Sequence, residues 1–425
     1  MNYKIEIPSL KLDFKVPPSK SVVHRELIIG FLEAVKEGRG VPKEILEPLE
    51  NDNDDIRATR GCLKALYEAN QSNAAEIFMP CNESGSTLRF MISVGAAYLN
   101  YVGLARKKKL VFLPKGRLIE RPLDQLITCL AARGVTVVVD KQKNEITVEG
   151  VLTPGCFVIQ GNVSSQYISG LQMALILLPD FTVELDGPLE SKGYYELTLN
   201  ILKSHNTEVV STSSTTTRPF AVVEPVETTS AVAEGDWSSA AFLLCLGALV
   251  PDGQVVLHGL NNDSLQKDKI IISILEQLGF VFTWNGSSVE LTARPDATKA
   301  RELELSLDAA DYPDIVPYIA IVAAAYTKST CIKNIERLHF KECDRVEATI
   351  NALKAAGASA YEKDGTLYIT GSHNAAGELS ISTYGDHRMA MTACLVAAWT
   401  GLPVLIDNKE CVNKSFPGLF EVIHN

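Results

Sequence analysis

Six apolar, alanine-rich segments of this 425-residue chain each open on a small polar cluster. They read SKSVVHRELIIGFL, STLRFMISVGAAYL, SQYISGLQMALILL, SSAAFLLCLGALV, DIVPYIAIVAAAY and DHRMAMTACLVAAW. Each predicts a helix buried on most sides, opened by a hydroxyl or carboxylate that can meet the first unpaired backbone N–H groups. The starts fall near Ser19, Ser86, Ser165, Ser238, Asp314 and Asp386, separated by 67, 79, 73, 76 and 72 residues. So regular a spacing points to one supersecondary unit used six times. It also bears on function. A helix start carries the positive end of the dipole, and several starts brought together would form an anion site.

A second helix type lies between these. LDQLITCLAARG, LTLNILKSHN, IISILEQLG and ATINALKAAG show apolar residues at three- and four-residue spacing and close on Gly or Asn. A short strand is expected after each: VTVVVD, TEVV, FVFTW and ASAYE. IRATRGCLKALYEAN looks like another copy, and LFEVIHN a truncated one. The fold class is therefore α/β. Residues 211–236, rich in Ser, Thr and Pro, break the rhythm and read mostly as loop, with FAVVE a candidate strand. A crossing between domains is expected at Glu234–Asp236, and a second at Pro17–Pro18. The domains expected are 19–235 and, with the N-terminal strand included, 1–18 together with 236–425.

The net charge of −11 counts against general nucleic-acid binding and requires any anion site to be local and dense in Lys and Arg. Nine scattered cysteines and seven histidines show no ligand spacing, so neither a disulfide framework nor a metal site is expected. The opening MNYKIEIPSLKLDF alternates like a strand and lacks a signal peptide's apolar core, and no apolar run is long enough for a bilayer. A cytoplasmic protein without membrane contact is expected.

Cations and hydroxyls gather at the helix starts. PPSKSVVHR places Lys20, Ser21 and Arg25 in two turns, a set suited to phosphate or carboxylate. In ESGSTLR, Gly85 lets backbone approach a ligand closely. LPKGRLIERP brings Lys115, Arg117 and Arg121, and GNVSSQ offers Ser164, Ser165 and Gln166. SKGYYELT adds Ser191 and Tyr194. Asp314 in DYPDIVP reads as a natural helix cap. HFKECDR crowds Lys341, Glu342, Asp344 and Arg345; YGDHRMAM brings Asp386, His387 and Arg388; and VNKSFPGLF brings Lys414. There is no phosphate loop of the G-x-x-x-x-G-K-[ST] type, no G-x-S-x-G and no H-E-x-x-H.

In this order over nearly the whole chain, SKSVVHR, ESGSTLR, ERP, SSQ, PD, KECDR, DHRMAM and KSFP resemble the 5-enolpyruvylshikimate-3-phosphate synthase family of enolpyruvyl transferases. The resemblance implies two domains, each of three β-α-β-α-β-β units, that close over the substrates. It implies transfer of the enolpyruvyl group of phosphoenolpyruvate to the 5-hydroxyl of shikimate-3-phosphate, with no metal or organic cofactor, in a monomer of the shikimate pathway. By resemblance, shikimate-3-phosphate falls to Lys20, Ser21, Arg25, Ser164, Ser165, Gln166, Ser191, Tyr194, Asp314 and Lys341. Phosphoenolpyruvate falls to Lys20, Gly85, Arg121, Gln166, Arg345, Arg388 and Lys414. Asp314, Glu342 and Lys20 are the expected catalytic groups: Asp314 for the hydroxyl proton, Glu342 for the methylene proton, Lys20 at the departing group.

Two positions depart from the family pattern: Arg337 and Glu83 stand where many members carry Asn. Two other readings compete. The UDP-N-acetylglucosamine enolpyruvyl transferases of cell-wall synthesis carry a reactive Cys five residues before their Arg-Pro pair, where this chain has Gly116. A non-catalytic anion-binding or RNA-end-processing protein on a related repeat fold is disfavoured by the acidic charge and by the presence together of Lys20, Asp314, Glu342 and Arg388.

Overall fold

A computed structural model describes residues 3–161, 164–187, 192–205, 211–213, 234–295, 302–371 and 374–424. The chain divides into two compact units, Lys20–Ala233 and Met1–Ser19 joined with Glu234–Asn425. The expected strands TEVV and FAVVE, and the site residue Ser191, lie outside the described residues.

In the second of these units three sheets follow one plan. Strands Lys11–Lys15 and Gln254–His258 pair in parallel, and the hairpin Val281–Asn285/Ser288–Ala293 adds antiparallel. Glu304–Asp308 and Ser329–Lys333 do the same, with the hairpin Ser359–Lys363/Thr366–Thr370. Leu379–Ile381 and Val404–Ile406 form the third parallel pair, completed by the N-terminal strand Tyr3–Ile5. A parallel pair needs a long crossover, and the apolar helices supply it. They are Trp237–Leu249, Val316–Tyr326 and His387–Thr400, and they pack against one another. Trp237–Leu249 has only Ser238 not buried, as a helix apolar all round must be.

The unit Lys20–Ala233 repeats the plan. Glu76–Asn82 and Lys109–Pro114 flank the helix Gly85–Tyr101, with the hairpin Val135–Asp140/Glu145–Gly150 beside them. Gly155–Gln160 and Phe181–Asp186 flank the helix Ser165–Ala174. Ser211–Ser213 joins that sheet in parallel. The first apolar helix, Lys20–Lys36, packs on both of the others.

The second unit's first repeat is split by the whole of the other unit. The chain leaves after strand Lys11–Lys15 and returns just before helix Trp237–Leu249. Its outgoing and returning strands are paired: Ser19 N donates to Glu234 O (2.8 Å) and Asp236 N to Pro17 O (2.8 Å). Gln266 locks them, accepting from Ser19 Oγ (2.8 Å) and Trp237 N (3.1 Å) and donating to Glu234 Oε1 (2.7 Å) and Gly235 O (3.0 Å).

Candidate active site

In the unit Lys20–Ala233 three helix starts come together. Lys20 Nζ bonds Asp55 Oδ2 at 2.7 Å, and the Asp55 carbonyl accepts from Thr87 Oγ1 at 3.3 Å. Ser84 caps the Gly85 helix by accepting from Thr87 N. Ser86 Oγ accepts from Gln166 Nε2 at 2.9 Å, and Gln166 Oε1 accepts from Arg89 Nη1 at 2.8 Å. Behind these a buried chain of short contacts, each 2.7 Å, runs from His24 Nδ1 through Thr59 and Thr87 to Ser84. Burial drives the His24 pKa down to about 3, with Lys20 and Arg25 adding to the effect against Asp55, so the ring is a neutral strut.

Arg25 is the most telling group here. It is 2% exposed, and its Nε donates to Thr198 Oγ1 (2.7 Å) and its Nη1 to the Ser21 carbonyl (2.6 Å). Nη2 reaches Ser169 Oγ (3.2 Å) and the Tyr194 carbonyl (3.3 Å), and the guanidinium lies over Phe90. All these partners are neutral. No carboxylate among the described residues bonds it, and burial lowers its pKa to about 10. A guanidinium has five N–H donors, so one on Nη1 is left for a ligand.

Gly85 starts its helix against two more cations. A Cβ placed there would lie 2.7 Å from Arg121 Nη1 and 3.1 Å from Arg89 Nη1. The missing side chain is what allows both guanidinium heads to close on this helix start. Ser164 sits at the cap of the Ser165 helix, but its hydroxyl makes no capping bond. Arg89, the last residue of ESGSTLR, joins this set beyond the residues that the motifs point to. Its signal is the helical spacing, four residues after Gly85 on the same face.

In the other unit the centre is Arg345, 1% exposed. Its Nε donates to Asp386 Oδ2 (2.7 Å), its Nη1 to Asp314 Oδ1 (2.8 Å), and its Nη2 to Glu342 Oε2 (2.7 Å) and Asp386 Oδ1 (3.2 Å). Lys341 Nζ also reaches Asp314 Oδ1 (3.0 Å), and Lys414 Nζ lies 3.0 Å from Glu342 Oε1. Arg388 Nη1 donates to Tyr318 Oη at 2.9 Å and stacks over that ring. Lys341, Glu342, Arg345, Asp314, Arg388 and Lys414 therefore form one connected set, tied by Asp386 and Tyr318, neither of which the sequence reading placed in the site.

Asp314 does not cap its helix. It lies in the 3-10 turn Pro313–Ile315, and no side chain caps the helix Val316–Tyr326. The expected cap is thus corrected: two cations reach the carboxylate, and it turns to them instead. Burial pushes the Asp314 pKa up, but Lys341, Arg345 and Arg388 outweigh that and hold it well below the usual carboxylate range. Burial lowers the Lys341 pKa, Asp314 opposes this, and Arg345 and Arg337 add to the lowering. Arg337, the departure from Asn, donates to the Ala310 carbonyl (3.4 Å) and acts as a further cation beside Lys341.

A buried carboxylate that the sequence reading passed over, Asp268, accepts from Ser238 Oγ. Burial, then repulsion from Asp314, raises its pKa to about 6 against the pull of Arg388. The Trp237, Val316 and His387 helices pack against one another in this unit, and Asp268 feels charge from Asp314 and Arg388.

Over residues 6–423 the chain matches the family model of EPSP synthase, described as 3-phosphoshikimate 1-carboxyvinyltransferase. The chain belongs to the EPSP synthase family. A relative from Clostridium botulinum named 3-phosphoshikimate 1-carboxyvinyltransferase is 32% identical, covering 99% of this chain and 96% of its own. One of the same name from Clostridium kluyveri is 33% identical, covering 96% and 93%. The EPSP synthase of Acinetobacter baumannii shares the fold, with a TM-score of 0.67 and 19% identity over 100% of this chain and 98% of that one. The enolpyruvyl transferase NikO of Streptomyces tendae does so with a TM-score of 0.61 and 14% identity, covering 100% and 96%. Family and neighbours agree with the two-domain enolpyruvyl transferase architecture. No described helix is long and apolar enough to cross a membrane.

Proposed function

We propose that this chain transfers the enolpyruvyl group of phosphoenolpyruvate to the 5-hydroxyl of shikimate-3-phosphate and releases phosphate. Family membership supports the reaction. The observation that carries it into this chain's own residues is Arg25, a buried cation held only by neutral oxygens among the described residues. A buried charge without a counterion costs several kcal/mol, roughly, which an anionic ligand offsets. Lys20, Ser21, Arg25, Ser164, Ser165, Gln166, Ser191, Tyr194, Asp314 and Lys341 are the proposed shikimate-3-phosphate contacts. Lys20, Gly85, Arg121, Gln166, Arg345, Arg388 and Lys414 are those for phosphoenolpyruvate, and Arg89 and Asp386 hold several of them in place.

The methylene carbon of phosphoenolpyruvate gains a proton, the 5-hydroxyl oxygen bonds to the adjacent carbon, and the hydroxyl proton leaves. The tetrahedral adduct then expels phosphate and the methyl group gives a proton back. Asp314 takes the hydroxyl proton. With Lys341 and Arg345 both on its Oδ1, it is a weak base in this state. Substrate anions that draw those cations away restore its basicity, which ties proton transfer to binding. Glu342 exchanges the methylene proton, and Lys20 assists at the departing phosphate.

Gly116 counts against the amino-sugar acceptor. Its φ is +55°, and a Cβ there would lie 2.9 Å from Glu83 Oε1, so a cysteine is strained at this position. On the same reading the enzyme works in the cytoplasm as a monomer, without metal, organic cofactor, nucleic acid or membrane. Phosphate release from phosphoenolpyruvate is the test, run alone, with shikimate-3-phosphate and with UDP-N-acetylglucosamine. Release only with shikimate-3-phosphate is expected. Release with the nucleotide sugar instead, or binding without release, would overturn the proposal.

A further inference from the structure

His339 lies two residues before Lys341, in the 3-10 turn Glu336–Phe340, and has no part in the reaction described above. Its imidazole is held on both sides. Nδ1 lies 2.8 Å from Asp344 Oδ2, and Nε2 lies 3.2 Å from Glu362 Oε1. Asp344 is the cap of the helix Arg345–Ala355, its Oδ1 accepting from Glu347 N at 3.0 Å. Glu362 lies on the hairpin strand Ser359–Lys363. One ring thus ties the turn carrying Lys341 to the helix that begins with Arg345 and to the sheet behind both.

We propose that His339 is a positioning residue for Lys341, Glu342 and Arg345, and that it does so as an imidazolium, so that the site's geometry depends on its proton. The proposal rests on the enolpyruvyl-transfer reading of that cluster. Both ring nitrogens meet carboxylate oxygens, and only the doubly protonated ring donates to both. Loss of the proton leaves one of the two contacts without a donor. Asp344 bears on the ring from the helix and Glu362 from the hairpin. Of the charged groups on its own turn, Arg337 is bonded at the Ala310 carbonyl, and the Glu336 carboxylate lies against Gly365. Partial burial lowers the ring's pKa, but the bonds to Asp344 and Glu362 outweigh it, and the net shift is upward. The clamp is therefore complete below the ordinary histidine value of about 6.5 and is lost as pH rises through the raised value.

The test compares phosphate release by the wild type, His339→Gln and His339→Arg from pH 6 to 9. Arginine keeps a permanent cation that can reach two carboxylates. Misplacement of the cluster in His339→Gln is expected to cut kcat/KM about ten- to a hundred-fold at low pH. His339→Arg keeps wild-type activity there and holds it at high pH, where the wild type falls toward the Gln variant. Equal profiles for His339→Gln and the wild type, or superimposable profiles for the wild type and His339→Arg, would overturn the proposal. An independent readout follows the His339 ring by NMR. It should titrate above the ordinary histidine value of about 6.5 and move down in Asp344→Asn. Titration at or below that value overturns the clamp. If the wild type releases no phosphate at all, the transferase reading falls, and the NMR titration still decides whether the clamp exists.

Discussion

Arg345 Nε donates to Asp386 Oδ2 at 2.7 Å, and both side chains are withdrawn from solvent. Asp386 Oδ1 also accepts the backbone N–H of Arg388 at 2.8 Å, capping the helix His387–Thr400. A single carboxylate thus joins the K-E-C-D-R and D-H-R segments, which lie more than forty residues apart. It leaves the Arg388 guanidinium to Tyr318 and to whatever ligand enters.

Removing that carboxylate takes from Arg345 one of its three carboxylate partners and two of its four side-chain bonds, leaving Asp314 and Glu342. Asp386→Asn is expected to lower unfolding free energy by about 1.5–3 kcal/mol, the range for a lost hydrogen bond to a charged group. Urea denaturation measures it. A loss under ~1 kcal/mol would mean that Asp314 and Glu342 hold Arg345 without help.

Asp314→Asn separates chemistry from binding. The amide keeps the shape and one acceptor oxygen but cannot take a proton. Turnover should fall about 10²- to 10⁴-fold, the usual contribution of a positioned base, while shikimate-3-phosphate affinity changes much less. Stopped-assay kcat and calorimetric binding check the split. In the free enzyme this carboxylate lies below its ordinary range, so it is ionised at about pH 5 and above and contributes no acid limb near neutrality.

Gly85→Ala places a methyl group where the heads of Arg121 and Arg89 now lie. The Arg121 tip must withdraw and gives up its place on the ligand, while Arg89 need shift only slightly and keeps its bond to Gln166. A lost hydrogen bond to a charged group is worth about 1.5–3 kcal/mol, so KM for phosphoenolpyruvate should rise roughly ten- to a hundred-fold. Steady-state kinetics should show KM for shikimate-3-phosphate moving little. An unchanged KM for phosphoenolpyruvate would remove Arg121 from that subsite.

The repeat and the helix starts were legible because apolar length and polar caps are local features of the chain. The strand VTVVVD is found where it was expected, at Val135–Asp140. Other edges moved for physical reasons: Asn53 takes the cap position, so its helix begins at Asp54 rather than Ile56. Within the site, single motifs pointed to the cations. Their carboxylate partners were harder to read, because Asp386 and Asp268 reach Arg345 and Ser238 across 41 and 30 residues of chain. For Asp314 the local motif offers a cap and the family resemblance a site role; the cap does not form because Lys341 and Arg345 reach the carboxylate through space, which local sequence cannot show.

His205 gives the Lys20–Ala233 unit a stability that depends on pH. Its Nε2 lies 2.7 Å from Glu26 Oε2 and its Nδ1 2.9 Å from Glu33 Oε2, tying the end of the helix Lys192–Ser204 to the helix Lys20–Lys36. The bond to Glu26, helped by Glu33 and opposed by burial, raises its pKa to about 9. A raised folded value means that the native state binds the proton more tightly than the unfolded chain. The stabilisation is therefore complete below the unfolded value of about 6.5 and is lost as pH rises through about 9. Thermal melts of the wild type should lose Tm between those limits more steeply than melts of His205→Gln, whose side chain carries no titrating proton. Because Thr198 and the Tyr194 carbonyl on the same helix hold Arg25, the affinity for shikimate-3-phosphate should weaken over the same pH window. Parallel slopes for the two proteins would show that the clamp contributes nothing to the folded state.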